Sequence, residues 1–264
     1  MAAITVRRVW KEYGQQVVLE NLNLQLNDHE FVTIVGPSGC GKTTFLRMLL
    51  GVDGPTRGEI TIDGEPLATE PGADRGIVFQ RYSLFPHLTV LENVLVGLEM
   101  KQSRMFGYLF GKRRRTAKQR AQAMLEQVGL AAASDKYPSQ LSGGMQQRLS
   151  IAQSIVVEPK VLLLDEPFGA LDPGVTQDMH ELVTRLWREN RMTVFMITHD
   201  VREAFALGTR LLVFDRIRHD PQAPERYGAT ITYQIPLRGP GAKNDALVAA
   251  PAKDLPQLKR LAGG

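Results

Sequence analysis

Three short stretches of the chain carry residue types that can do chemistry. Gly36-Pro37-Ser38-Gly39-Cys40-Gly41-Lys42-Thr43, followed by Thr44, is a complete G-x-x-x-x-G-K-[ST] pattern. Its glycines let backbone N–H groups turn inward around phosphate oxygens, and a helix starting near Lys42 adds a positive dipole end. In such a loop Lys42 bridges β- and γ-phosphate oxygens and Thr43 offers a hydroxyl to Mg²⁺. The second stretch, Val161-Leu162-Leu163-Leu164-Asp165-Glu166, is an apolar run ending in two carboxylates. Asp165 is expected to hold Mg²⁺ through water and Glu166 to polarise an attacking water as general base. An acidic pair at a strand end can also cap the next helix, but Pro167 follows it and a phosphate loop lies upstream. In the third, Ser142-Gly143-Gly144 precede a helix-like stretch, Met145–Val156. Serine is a strong N-cap and the glycines permit close backbone approach, so a second anion-binding helix terminus is expected. Cys40, inside the phosphate loop, is read as a small residue wanted there, with a redox role as the alternative. Either way, neighbouring helix N–H groups are expected to lower its pKa and raise its reactivity.

These residues need elements to hold them. Residues 4–35 read as an antiparallel start: Ile4–Trp10 alternates, Val17–Leu26 follows a turn at Tyr13-Gly14, and Phe31–Val35 runs into the phosphate loop. Thr43–Leu50 reads as a helix ending at Gly51, and Gly58–Ile62 as a short strand before the turn Asp63-Gly64. Unbroken apolar runs at Gly76–Phe79, Val161–Leu164, Thr193–Thr198 and Arg210–Phe214 suit parallel strands covered on both faces. The intervening segment, residues 81–156, reads as a mainly helical subdomain inserted into a core formed by 1–80 and 157–237. Gly228–Leu237 alternates and reads as an added edge strand, and residues 238–264 as a loose tail rich in Pro, Gly, Ala and Lys. Inside the insertion, the apolar stretch 104–111 precedes a basic run, Lys112–Arg120. That run is a solvated helix start or a contact for lipid headgroups or an acidic partner.

The 264 residues leave room for one α/β domain with an insertion, and a hydrophobic content of 43% supports a packed core. A net charge of +4 is mildly basic and does not by itself imply nucleic acid. No stretch approaches the ~18 apolar residues of a membrane span. The N-terminus lacks an apolar secretion segment, and a single Cys fits a reducing cytosol.

Gly36–Thr43, Leu141-Ser142-Gly143-Gly144-Met145-Gln146 and Val161–Glu166, in this order, resemble the ATP-binding subunits of ABC transporters, over roughly residues 4–215. The resemblance implies a RecA-like P-loop NTPase core with an antiparallel β flank and an inserted helical subdomain. It implies hydrolysis of ATP with Mg²⁺. Gln80 resembles the glutamine that reaches the metal and the attacking water, and the segment it begins touches the membrane subunit in relatives. His199, in Thr198-His199-Asp200, resembles the histidine that contacts the γ-phosphate. Asp172 resembles the aspartate linking two opposed sites, and Tyr13 the aromatic residue that stacks on adenine, with a plain core or turn role as its alternative. In relatives Ser142, Gly143, Gly144 and Gln146 would serve the nucleotide held by a second subunit. One departure is His29-Glu30 where the family usually has Gly-Glu, so the turn must tolerate a side chain at His29.

The implied partners are a second copy, a membrane permease and, indirectly, an extracytoplasmic solute-binding protein, with no nucleic acid. The implied location is peripheral, on the cytoplasmic face of the plasma membrane. The segments Phe79–Pro86, Asp165–Asp172 and Thr198–Ala204 are similar to the nitrate/sulfonate/taurine branch of bacterial importers, whose solutes are small, polar and nitrogen- or sulfur-containing. The long insertion and the strand near Ile231 resemble a subset linked to urea or guanidine nitrogen. Two other classes compete: an ABC ATPase acting on ribosomes or DNA, and a P-loop kinase. The first usually duplicates this domain or splits it with long coiled coil, and neither feature is present. The second has no use for Ser142-Gly143-Gly144.

Overall fold

The computed structural model describes residues 3–79, 83–102 and 109–240, with the backbone alone for Gln102. They fall into two compact units, one formed by the described residues of 3–72 and 187–240 and the other by those of 73–186.

The first unit holds two sheets. In one, β1 (Ile4–Tyr13) lies between β2 (Gln16–Leu26) and β4 (Arg57–Ile62), and β4 pairs with β5 (Glu65–Pro66), all antiparallel. The buried pairs Ile4↔Leu26 and Val6↔Leu24 follow the expected alternation, but it does not run on to Trp10. The register shifts between Val6 and Val9, with Arg8 at φ 48°, so that Val9 is the next buried residue, opposite Leu22. In the other, β3 (Phe31–Val35) pairs in parallel with β8 (Thr193–Ile197) and β9 (Arg210–Asp215). All residues of β3 and β8 are buried, as unbroken apolar runs require when both faces are covered. Helix α1 (Lys42–Leu50) follows β3, and its Phe45 packs edge-on to Phe195 at 6.1 Å and against Phe214 at 5.5 Å. The helix stops where the sequence says it should, at Gly51, whose left-handed backbone returns its N–H to the carbonyls of Arg47 and Met48.

The edge strand expected at 228–237 is β10 (Thr230–Pro236), antiparallel to β9. Tyr233, Ile235 and Leu237 pack on Val35, Ala204, Leu211 and Val213. The residues before it bind along β2: Val17 N–H donates to Glu225, Ala229 N–H to Val18, and Glu20 pairs with Arg218. Of the tail, residues 241–264 lie outside the described residues.

In the second unit β6 (Arg75–Val78) pairs in parallel with β7 (Val161–Asp165), Val78 beside Leu164. The expected helical stretch holds α2 (Val90–Gln102), α3 (Gly111–Gln127) and α4 (Gly143–Ile155). Helix α5 (Pro173–Asn190) follows β7, and the unit boundary falls within it. Helix α2 starts in a capping box: Thr89 N–H and hydroxyl donate to Glu92 at 2.8 and 2.9 Å, and Glu92 N–H donates back at 3.3 Å. The basic run is the start of α3, where Lys112, Arg113, Arg114 and Arg115 are exposed at the positive end of the helix dipole. Arg114 pairs with the buried carboxylate of Glu99 at 3.4 Å. Of the apolar stretch 104–111, residues 104–108 lie outside the described residues, while Leu109 is buried and Phe110 is 79% exposed. Among the described residues no helix is long and apolar enough to cross a membrane.

Candidate nucleotide site

The phosphate loop leaves β3 at Gly36 and enters α1 at Lys42. Two of its glycines are dictated by sterics. A Cβ on Gly36 would lie 2.2 Å from the Phe214 carbonyl oxygen, and Gly41, the N-cap of α1, sits at φ 92° against Leu19. Pro37, Ser38, Gly39 and Thr43 are exposed, Thr44 is half-buried, and Cys40 is buried. The Lys42 ammonium folds back into the loop, donating to the carbonyls of Gly36 at 2.7 Å and Pro37 at 2.9 Å, and lies 3.9 Å from Cys40 Sγ.

Cys40 corrects a sequence expectation. Burial pushes its thiol pKa up, and the opposing charge of Lys42 and the backbone hydrogen bonds do not overcome it. The helix terminus is present; the thiol is simply too deep for it to dominate.

His199 leaves the same sheet edge as the loop. Ile34 and Ile197 are register partners, and Thr198 N–H donates to the Ile34 carbonyl at 3.1 Å. His199 is exposed at the end of β8. It is followed by helix α6 (Val201–Leu207), capped by Asp200, whose carboxylate accepts from the N–H groups of Arg202 and Glu203. Tyr13 closes β1 and is 46% exposed. Its hydroxyl donates to Asp53 Oδ2 at 3.0 Å, and that oxygen accepts from Arg47 Nε at 2.7 Å.

In the second unit, Asp165 is the half-buried last residue of β7. Glu166 sits at φ 48°, a left-handed backbone uncommon for a residue with a side chain. Asp172 is exposed ahead of α5, its carbonyl accepting from Thr176 N–H at 2.9 Å and the Thr176 hydroxyl at 3.0 Å. Ser142 caps α4, accepting from Met145 N–H at 3.4 Å, and Gly143 is exposed beside it. Gly144 packs against Val175. The Gln146 amide nitrogen donates inward to the carbonyls of Pro138 and Leu141, at 3.0 and 3.2 Å, so it braces the turn before the helix. Gln80 lies outside the described residues. The sequence reading missed Arg47 and Asp53: nothing periodic marks a carboxylate that meets an aromatic ring 40 positions away.

A parallel strand running into a glycine-rich loop, with a lysine at the start of the next helix, defines a P-loop NTPase core. The ABC transporter family model matches residues 19–169, and the chain belongs to that family. It is 43% identical to the bicarbonate transport ATP-binding protein of Synechocystis over 83% of this chain and 76% of that one. It is 40% identical to the aliphatic sulfonates import ATP-binding protein of Burkholderia ambifaria, over 99% and 73% of the two chains. It is 46% identical to the nitrate import ATP-binding protein of Synechocystis, over 76% and 71%. A dimeric post-hydrolysis state of the cassette MJ0796, bound to ADP and Pi, superposes with a TM-score of 0.70 at 32% identity, covering 89% of this chain and 99% of that one. The chain is thus an ATP-binding, ATP-hydrolysing ABC transporter subunit, similar to the nitrate/sulfonate/bicarbonate importer branch. These relatives do not favour the ribosome- or DNA-acting alternative.

Proposed function

We propose that this chain powers a bacterial importer of a small polar solute from the cytoplasmic face of the plasma membrane, as one of two copies that close on ATP. The observation that carries this reading is the presence, in one chain, of two helix termini suited to anions. The phosphate loop at α1 needs only itself to hold a triphosphate. The Ser142-capped start of α4, with Ser142 and Gly143 exposed, then serves the nucleotide held by a second copy.

In this reading Gly36, Pro37, Ser38, Gly39, Cys40, Gly41 and Thr44 wrap the phosphates with Lys42, whose ammonium exchanges loop carbonyls for β- and γ-phosphate oxygens. Tyr13 stacks on the adenine. The Thr43 hydroxyl, the Asp165 carboxylate and the Gln80 amide are hard oxygen donors of the kind Mg²⁺ takes, so the residues fit that ion. Bound Mg²⁺ supplies charge neutralisation at the β- and γ-phosphates. Glu166 accepts the proton of the attacking water, His199 contacts the γ-phosphate, and Asp172 links the two opposed sites. Residues 81–156 act as the helical subdomain on a core of 1–80 and 157–237, and meet the permease. The exposed Met100 and Phe110 and the basic start of α3 offer it an apolar and cationic face.

The solute is handled by other chains. The test is ATP hydrolysis by the complex of this chain with its permease, in vesicles carrying the cognate binding protein. Stimulation by nitrate, an aliphatic sulfonate or bicarbonate is expected. Hydrolysis indifferent to all three would remove the assignment to this group of solutes, and failure to assemble with any permease would remove the importer reading.

A further inference from the structure

Tyr13 is an exposed aromatic ring at the end of a strand, yet it is held both at its hydroxyl and at one ring face. Its hydroxyl donates to Asp53 Oδ2 at 3.0 Å. The ammonium of Lys11 lies 4.7 Å from the ring centroid and is itself anchored on the Gly54 carbonyl at 2.8 Å. Asp53 is no more mobile than the ring it binds. Its Oδ2 accepts from Arg47 Nε, and its backbone N–H donates to the Arg47 carbonyl at 3.3 Å, just beyond the Gly51 cap. Through Asp53 and Arg47, Tyr13 is therefore referenced to the C-terminal end of α1, the helix whose other end carries the phosphate loop.

We infer that Asp53, braced by Arg47, is a positioning residue for the nucleotide base: it fixes the Tyr13 ring in the attitude that receives adenine. This rests on the reading of Tyr13 as the stacking residue. With Lys11 on one face, the ring offers the purine the other. An unrestrained tyrosine loses rotamer freedom each time a base stacks on it, and a ring already held does not. One rigid helix then sets both the base and the phosphate positions.

The ionisation states agree with this arrangement. Burial opposes ionisation of Asp53, but hydrogen bonds from Arg47 and Tyr13 and the nearby charges of Arg47 and Lys11 outweigh it and keep its pKa below its ordinary value. Burial and the bond to Asp53 push the Tyr13 phenol up, so it stays a donor.

The test is calorimetric binding of ATP and of inorganic triphosphate to the purified chain and four variants. Tyr13→Phe and Asp53→Asn are each expected to weaken ATP about two- to tenfold and to leave triphosphate unchanged. The double variant should be no weaker than the weaker single, because both act on the same Tyr13–Asp53 contact, one by removing its donor and the other by removing the charge that strengthens it. Tyr13→Ala should weaken ATP further, roughly five- to a hundredfold. If Tyr13→Ala weakens ATP while Asp53→Asn and Tyr13→Phe do not, the ring stacks unaided and the inference falls while the stacking reading stands. If Tyr13→Ala leaves ATP unchanged, the stacking reading falls first. If Asp53→Asn weakens ATP and triphosphate alike, Asp53 acts on the phosphate loop through α1, and the positioning role is overturned.

Discussion

The Lys42 ammonium closes the phosphate loop on the loop's own first residue, donating to the Gly36 carbonyl at 2.7 Å. The cation proposed to meet the phosphates thus also shapes the loop. Lys42→Ala is expected to cost on the order of 2–5 kcal/mol of ATP affinity, the cost of losing a charge-assisted contact in a buried setting. It should also lower the stability of the nucleotide-free chain by about 1–2 kcal/mol, since the carbonyls of Gly36 and Pro37 lose their donor. Calorimetry with ATP and a denaturant titration without it check the two halves separately. Unchanged ATP binding would sink the loop assignment.

Cys40 gives a chemical probe of the same loop. With the thiol buried and its pKa raised, alkylation by iodoacetamide should be slower than that of an unhindered cysteine and should accelerate toward alkaline pH. MgATP should slow it further by covering the loop. Labelling rates equal with and without MgATP would place the thiol away from the nucleotide.

The capping box of α2 predicts a pH dependence. The Thr89 backbone N–H, and next the Thr89 hydroxyl, hold the pKa of Glu92 below its ordinary value. A carboxylate depressed in the folded state stabilises above its unfolded pKa and loses that contribution as pH falls through the folded value. Glu92→Ala should therefore cost about 1 kcal/mol at neutral pH. The difference from wild type should shrink as the medium is acidified below the ordinary carboxylate range. Denaturant midpoints across that range decide, and a difference independent of pH would mean the box contributes nothing.

What the sequence made legible was local. The unbroken apolar run Phe31–Val35, the Gly51 stop of α1 and the Ser142 cap of α4 each follow from neighbouring residues, and each stands where the pattern puts it. What it hid depended on depth or on distant partners. Strand β1 continues past Trp10 to Tyr13 because β2 pairs with it that far. Cys40 lies beside helix N–H groups as read, but its pKa follows from how deeply it is buried. His29, noted as a side chain where the family has glycine, sits at φ 62°, the left-handed backbone that glycine takes most readily. Its N–H donates to Thr193 at 3.1 Å, a partner 164 residues away that no local pattern names.

Glu166→Gln tests the proposed chemistry most directly. The amide keeps the shape of the carboxylate but cannot accept the proton of an attacking water. The left-handed backbone at φ 48° is no worse for glutamine than for glutamate, so the turn after β7 should keep its form. The phosphate loop and Asp165 are untouched, so ATP should bind normally while turnover falls roughly 10²–10⁴-fold, the contribution of a general base. If Ser142 of one copy meets the nucleotide held by Lys42 of another, slow turnover should trap a dimer that wild type forms only transiently. Size-exclusion chromatography with MgATP should show that dimer for Glu166→Gln. Adding Ser142→Arg should abolish it by putting bulk and charge at the exposed start of α4. A Glu166→Gln chain that stays monomeric at high concentration sends the measurement to the complex with the permease, where the subunits are held side by side. Hydrolysis there at the wild-type rate would show that Glu166 is not the base. Slow hydrolysis with a dimer indifferent to Ser142→Arg would leave the base in place and remove α4 from the shared site.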